Sequence, residues 1–197
     1  MKTVFACAAA LVAASSASAG VVFGVDAVTA NGVNSVIFGE SQLSVEVEAG
    51  APGTVVFTVA NTGPQASSVA NVYFDDAALL SGGVVTNGPG TEFSAGGSPN
   101  EMPAGNMVGF VSDFRFTASN PKTVGGVNPG EWVSFTFNLA GGSSIADVIA
   151  AMNSGALRVG MHVIGFANGQ SESFITPAPG SLALMGLGGL IAGRRRR

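Results

Sequence analysis

Among its 197 residues the chain has one cysteine, one histidine, one tryptophan and one tyrosine. Charge is scarce too: 10% of residues are Asp, Glu, Lys or Arg, against about 25% in an ordinary globular chain. Each shortage excludes something. Cys7 lies in the N-terminal apolar stretch, so beyond it there is no disulfide, no thiolate nucleophile and no cysteine metal ligand. A chain of this size builds a core without disulfides. Few Lys and Glu argue against a helical cytosolic protein. His162 is the only histidine, so a catalytic triad would need it together with a nucleophile and an orienting acid. Ser143 and Ser144 follow Gly141-Gly142, but no G-x-S-x-G pattern occurs.

Glycine is abundant, 29 of 197 residues, about twice the usual share. That points to many turns and few amphipathic helices. All twelve acidic residues lie between Asp26 and Glu172, where the only basic residues are Arg115, Lys122 and Arg158; this middle carries −9, against −4 for the whole chain. Nucleic acid, which requires a basic face, is excluded as a partner. Solubility outside a cell, or association with cations such as calcium, remains compatible.

The N-terminus has the layout of a signal peptide. Lys2 supplies the positive end, and Val4 to Ala14 form an apolar run of 11 residues, too short to span a bilayer. Ala17-Ser18-Ala19 is the small-x-small pattern that signal peptidase accepts, which places cleavage between Ala19 and Gly20. A membrane anchor is the alternative; Cys7 sits too early for a lipoprotein.

The C-terminus has three parts. Pro177-Ala178-Pro179 cannot lie inside a helix or a central strand. Leu182 to Gly193 are twelve largely apolar residues, which as a helix would reach about 18 Å, short of the roughly 30 Å hydrocarbon core. Arg194, Arg195, Arg196 and Arg197 close the chain and would stay cytoplasmic, leaving the middle on the far side of that membrane. This order of features resembles the PEP-CTERM sorting signal, which exosortase-type transpeptidases of Gram-negative bacteria recognise. Pro177 and Pro179 match its two prolines, Leu184-Met185-Gly186-Leu187-Gly188 its short helix, and the four arginines its basic end. Ala178 departs from the usual Glu. The resemblance implies that the tail holds the protein in the inner membrane, is cut near the Pro-x-Pro element, and releases the protein to the cell surface or the extracellular matrix. It further implies association with exopolysaccharide and biofilm.

Between the ends, residues 20–175 read as an ectodomain of short strands, and 176–197 as the tail. Strands are expected at Val21 to Val25, Val36 to Phe38, Leu43 to Val47, Thr54 to Ala60, Val69 to Phe74, Met107 to Val111, Phe114 to Thr117, Glu131 to Asn138 and Leu157 to Phe166. In the last but one, Val133, Phe135, Phe137 and Leu139 share a face. In the last, Arg158, Gly160, His162 and Ile164 face opposite Val159, Met161 and Val163, which puts His162 outward. Ser81 to Gly105 read as a long irregular loop with one short strand at Thr91 to Ser94. One helix is expected from Ile145, with Ser143 or Ser144 as N-cap, Ile145, Val148, Ile149 and Met152 on one face, and Gly155 beyond its end. The expectation is an all-β antiparallel β-sandwich, jelly-roll or immunoglobulin-like, with one short helix and a short C-terminal membrane helix. The segments Thr54 to Asp76, Asn128 to Glu131 and Leu157 to Ile175 also resemble a recurrent ectodomain of PEP-CTERM proteins, which brings no activity and no site residues with it.

Few residues carry candidate chemistry. Asp75-Asp76 follow a strand, where loop carboxylates could take calcium, although a solvated turn accounts for them as well; no other cofactor is indicated. Glycoside hydrolysis needs two acids about 5 to 10 Å apart, and nothing singles out a pair. Trp132 and Tyr73 are thin support for glycan binding and are expected in or beside the core. The sequence therefore points to an exported surface or matrix protein with no evident catalytic activity. A carbohydrate-binding module on exopolysaccharide is the second reading and a glycoside hydrolase the third.

Overall fold

A computed structural model of the chain describes residues 20–177. Ala19, Ala178, Pro179, Arg194 to Arg197 and the expected membrane helix lie outside them. Among the described residues no helix is long and apolar enough to cross a membrane.

In chain order the strands are β1 (Val21–Phe23), β2 (Asp26–Ala27), β3 (Leu43–Ala49), β4 (Thr54–Asn61), β5 (Ser68–Asp75), β6 (Leu80–Asn87), β7 (Phe93–Ala95), β8 (Phe114–Ala118), β9 (Glu131–Leu139), β10 (Arg158–Ile164) and β11 (Glu172–Ile175). Helix α1 (Val33–Gln42) precedes β3, α2 (Lys122–Gly125) precedes β9, and α3 (Ile145–Ser154) precedes β10. The first sheet has the order β1-β3-β4-β9-β6 and the second β2-β11-β10-β5-β8-β7. Every pairing within them is antiparallel. The fold is mostly β, two antiparallel sheets with few helices, consistent with a β-sandwich.

Period-2 alternation decides which side chains meet between the sheets. Val45 and Val47 of β3, Val55, Phe57 and Val59 of β4, and Val133, Phe135 and Phe137 of β9 point inward from the first sheet. Val72 and Phe74 of β5, Phe116 of β8, Val159, Met161 and Val163 of β10, and Phe174 of β11 point inward from the second. Phe74 meets Phe57 (centroids 5.2 Å), Phe135 (5.5 Å) and Phe137 (4.8 Å) across the gap, all edge-on. Such ring pairs add about 0.5–1.5 kcal/mol each beyond the area they bury.

The helix expected from Ile145 forms as α3. Ser144 is its N-cap, and Ser144 and Asp147 make a reciprocal capping box. Gly155 takes a left-handed φ of +73° at its end, a conformation glycine adopts without penalty.

Three expectations are corrected. Val36, Ile37 and Phe38 belong to α1, a second ten-residue helix, and not to a strand. The carboxylate of Glu172 fixes the entry to α1 by accepting from Thr29 Oγ1 (2.6 Å), Asn31 N (3.1 Å) and Gly32 N (2.8 Å). Gly39 then lies against the Phe174 ring, where a Cβ would fall 2.1 Å from Cζ. Tertiary contacts thus override the strand propensity of two β-branched residues and one aromatic. Next, Met107 begins no strand: Gly105–Val108 is a 3-10 turn. Finally, the expected loop from Ser81 contains β6. Gly82 and Gly83, at φ +78° and +116°, fall where the β6–β9 register shifts, so glycines that read as loop are a bulge within a strand.

Phe74 is fully buried, so Phe74→Ala should lower unfolding free energy by about 3–5 kcal/mol. Phe74→Leu should lose less. Urea denaturation followed by circular dichroism measures both, and a loss below 1 kcal/mol for Phe74→Ala would contradict the central role of this ring.

Candidate functional site

The outer faces of the two sheets differ. On the second sheet the parity of β10 places Arg158, Gly160 and His162 outward, as expected, but this face is covered. The segment between β7 and β8 crosses it as a strap. Phe110 and Met102 of the strap pack on Tyr73, with Val28 and Ile175 beside them. Gly160 makes room beneath: a Cβ there would lie 2.5 Å from Met102 Sδ and 2.9 Å from Phe110 Cζ. Tyr73 is fully buried, donates to Pro99 O (3.3 Å), and has its phenol pushed up by burial.

Basic side chains tie the strap down. Arg158 donates to Val108 O (2.8 Å) and Gly109 O (2.7 Å), pairs with Asp75, and lies over the Phe110 ring (5.3 Å to the centroid). Arg115 Nε donates to Gly97 O (3.1 Å), and Lys122 Nζ donates to Ser98 O (2.9 Å) and Asn71 Oδ1 (3.2 Å). Burial pushes the Lys122 ammonium down.

The two acids nominated as calcium candidates already have protein partners. Asp75 holds Arg158 and accepts from Val111 N (3.3 Å). Asp76 accepts from Ala78 N (3.0 Å) and Leu80 N (3.1 Å), while its own N–H donates to Asp113 Oδ2 (3.0 Å). It thereby stabilises a turn in which Ala77 and Ala78 have φ +50° and +59°. Burial, and secondarily the neighbouring Asp113, pushes the Asp76 carboxyl up, against the pull of the two backbone donors. Among the described residues no group of three or more His, Cys, Asp or Glu is arranged to hold a metal ion.

His162 sits between Asn71 of β5 and Ser173 of β11. Its Nδ1 and the Ser173 Oγ are buried and have no protein hydrogen-bond partner. Ser173 is 1% exposed, so this Ser–His neighbourhood offers a substrate no approach. Burial, and then the Lys122 charge, pushes the imidazole down.

The first sheet keeps its outer face open, and here the structure corrects the placing of Trp132. The indole is 37% exposed on the outer face of β9, out of phase with inward Val133, Phe135 and Phe137. That phase was the sequence signal that could have found it. Gly88 backs the ring: a Cβ there would lie 2.9 Å from both Trp132 Cδ2 and Cε2. Thr91 Oγ1 shares its one proton between Gly88 O (3.0 Å) and Trp132 O (3.2 Å), fixing the two segments together. Trp132, Thr58, Ser134 and Glu48 line a shallow, open depression of about 320 Å³. The Thr58 and Ser134 hydroxyls are hydrogen-bonded to each other across β4 and β9 at 2.8 Å. The depression thus brings together an aromatic ring, a pair of hydroxyls and a carboxylate.

No protein-family model, curated protein or solved structure matches this chain.

The lowered imidazole pKa gives a pH prediction. The fold favours neutral His162, so its contribution is present above the ordinary histidine value of about 6.5 and is lost as pH falls through the depressed folded value. The melting temperature should drop on going from pH 7 to 5, with a shallower drop in His162→Gln. Asp76 acts in the opposite direction, which is why the two proteins are compared at each pH by thermal circular dichroism. Parallel curves would show that His162 does not contribute.

Proposed function

We propose that the chain is an exported cell-surface or matrix protein that acts by binding and not by catalysis. In this reading residues 1–19 direct export and signal peptidase cuts after Ala19. The tail from residue 176 holds the protein in the inner membrane until an exosortase-type enzyme processes it at Pro177-Ala178-Pro179. The body is then released to the surface, in contact with exopolysaccharide.

The observation that carries the reading is how the described residues are arranged next to the two proposed cuts. Thr176 is 2% exposed, its N–H donates to Val159 O (2.9 Å), and its Oγ1 accepts from Val159 N (3.0 Å). Pro177 follows at once. A cut at Pro177-Ala178-Pro179 would fall after β11 and leave every strand of the described residues in place. At the other end β1 starts at Val21, next to the proposed new N-terminus Gly20. Both proposed processing points thus lie outside the strands of the described residues, one just before β1 and one just after β11.

We also assign the finer fold as the jelly-roll side of the expectation. The chain changes sheet from β1 to β2, β2 to β3, β4 to β5, β5 to β6, β6 to β7, β8 to β9 and β9 to β10, and this repeated crossing supports that kind of sandwich over the immunoglobulin-like kind.

A second reading, carbohydrate binding, is favoured by one observation: the exposed Trp132 held on the open face of the first sheet.

The sorting proposal is tested by deleting Arg194 to Arg197 and following the protein by cell fractionation and mass spectrometry. The full-length protein should lose its tail and leave the inner membrane. The deletion should accumulate at altered location with the tail still attached. Unchanged mass and location would end the sorting reading.

A further inference from the structure

We propose that the depression beside Trp132 binds a glycan through a positively charged amino-sugar unit. The inference deepens the carbohydrate-binding reading and is independent of how the tail is processed.

The first argument is the distribution of charge. The basic side chains of the described residues are Arg115, Lys122 and Arg158. All are engaged with the strap over the second sheet. The first sheet presents Glu46 and Glu48 of β3 on its outer face and no cation. An anionic polysaccharide meets only repulsion there, whereas a protonated amine is attracted both by these acids and by the −9 of the body.

The second argument is the shape and chemistry of the depression. A pyranose ring has an apolar C–H face and a polar rim. The indole offers a flat surface for the former. It is held from behind by Gly88, so little freedom is lost when a ligand stacks on it. Thr58 and Ser134 have hydroxyls that both donate and accept, suited to ring hydroxyls. Glu48 lines the same depression and matches an ammonium group. The indole itself adds a cation–π attraction to that charge. A neutral sugar would forgo the attraction of the carboxylate, and a plain lysine side chain would make no use of the flat indole face or the ring-directed hydroxyls. An amino sugar engages all of them.

The test uses the full-length protein purified in detergent, with calorimetric titration of a glucosamine hexamer, an N-acetylglucosamine hexamer, cellohexaose and a lysine hexapeptide at pH 6. Saturable binding of the glucosamine hexamer is expected. Trp132→Ala should weaken it about tenfold or more and Trp132→Phe less. Glu48→Gln should weaken it about tenfold, whereas Glu101→Gln, an exposed acid on the strap over the other sheet, should not. The circular dichroism melt of each variant guards against misfolding, and Trp132→Phe keeps the test decisive if Trp132→Ala unfolds. No saturable binding would overturn the proposal. So would affinity unchanged in both Trp132 variants, which would mark attraction to the acidic body at large. Equal affinity for cellohexaose or the N-acetylated hexamer would overturn the amine assignment while leaving glycan binding intact. Equal affinity for the lysine peptide would show a cation site without sugar recognition.

Discussion

The rings at the centre of the sandwich carry the rest of the structure. Phe74 projects from the second sheet between Phe57, Phe135 and Phe137 of the first, and touches Phe116 of its own sheet at 6.0 Å. This is the main tie between the layers, since the described residues contain no cysteine to bridge them. Edge-on packing favours a limited set of separations and angles, so the rings set the register of the two sheets as well as their attraction. Once β5 is fixed by Phe74, its opposite face is fixed too. Asn71, Tyr73 and Asp75 must then point away from the core, onto the surface that the strap covers. The inner packing and the outer covering of the second sheet are therefore two consequences of one strand's alternation.

That covering explains how sparse charge is used. An exposed cation on a loop contributes little to stability. Here Arg158 is partly buried, stacked on Phe110, paired with Asp75 and bonded to two backbone carbonyls. Arg115 and Lys122 likewise bind strap carbonyls, Gly97 O and Ser98 O. With the basic side chains drawn to one sheet, the other keeps only acids. The electrostatic asymmetry of the body follows from the need to hold one irregular segment in place. A separate pressure on the open face is not required to explain it.

Much of this was legible in the sequence, and the exceptions have physical causes. The alternation in β3, β4 and β9 is clean because each has one face in the core and the other outside, so hydrophobicity reports the backbone directly. The helix α3 was legible for the same reason, with caps at both ends. Helix α1 was not, because its formation depends on Glu172, which is 130 residues or more away from the segment it positions. No local pattern carries that information. Strand β6 was hidden because its bulge uses glycines, the residues that ordinarily mark loops. Tyr73 was correctly placed inward of solvent, but the strap that buries it was not visible, since a Gly-Pro-Ser segment says nothing about which surface it will cover. Trp132 was misplaced for a different reason. Its hydrophobicity suggested the core, while its phase relative to Val133 and Phe135 pointed outward, and phase is the stronger signal inside a regular strand.

The open face and the tail also bear on each other. One indole, two hydroxyls and one carboxylate offer a limited free energy, and association first has to offset several kcal/mol of lost motion. On the proposed reading a single such depression would hold one sugar unit weakly. A polymer presents the same unit repeatedly, and many copies of the protein confined to one surface meet it repeatedly. Under those conditions weak sites combine into strong retention without any new contact. Sorting to the cell surface would supply that confinement. On the proposed reading, then, the tail does more than decide location: it creates the local density at which a one-ring site becomes an effective attachment, and a body released far from its neighbours would lose hold of the same polymer.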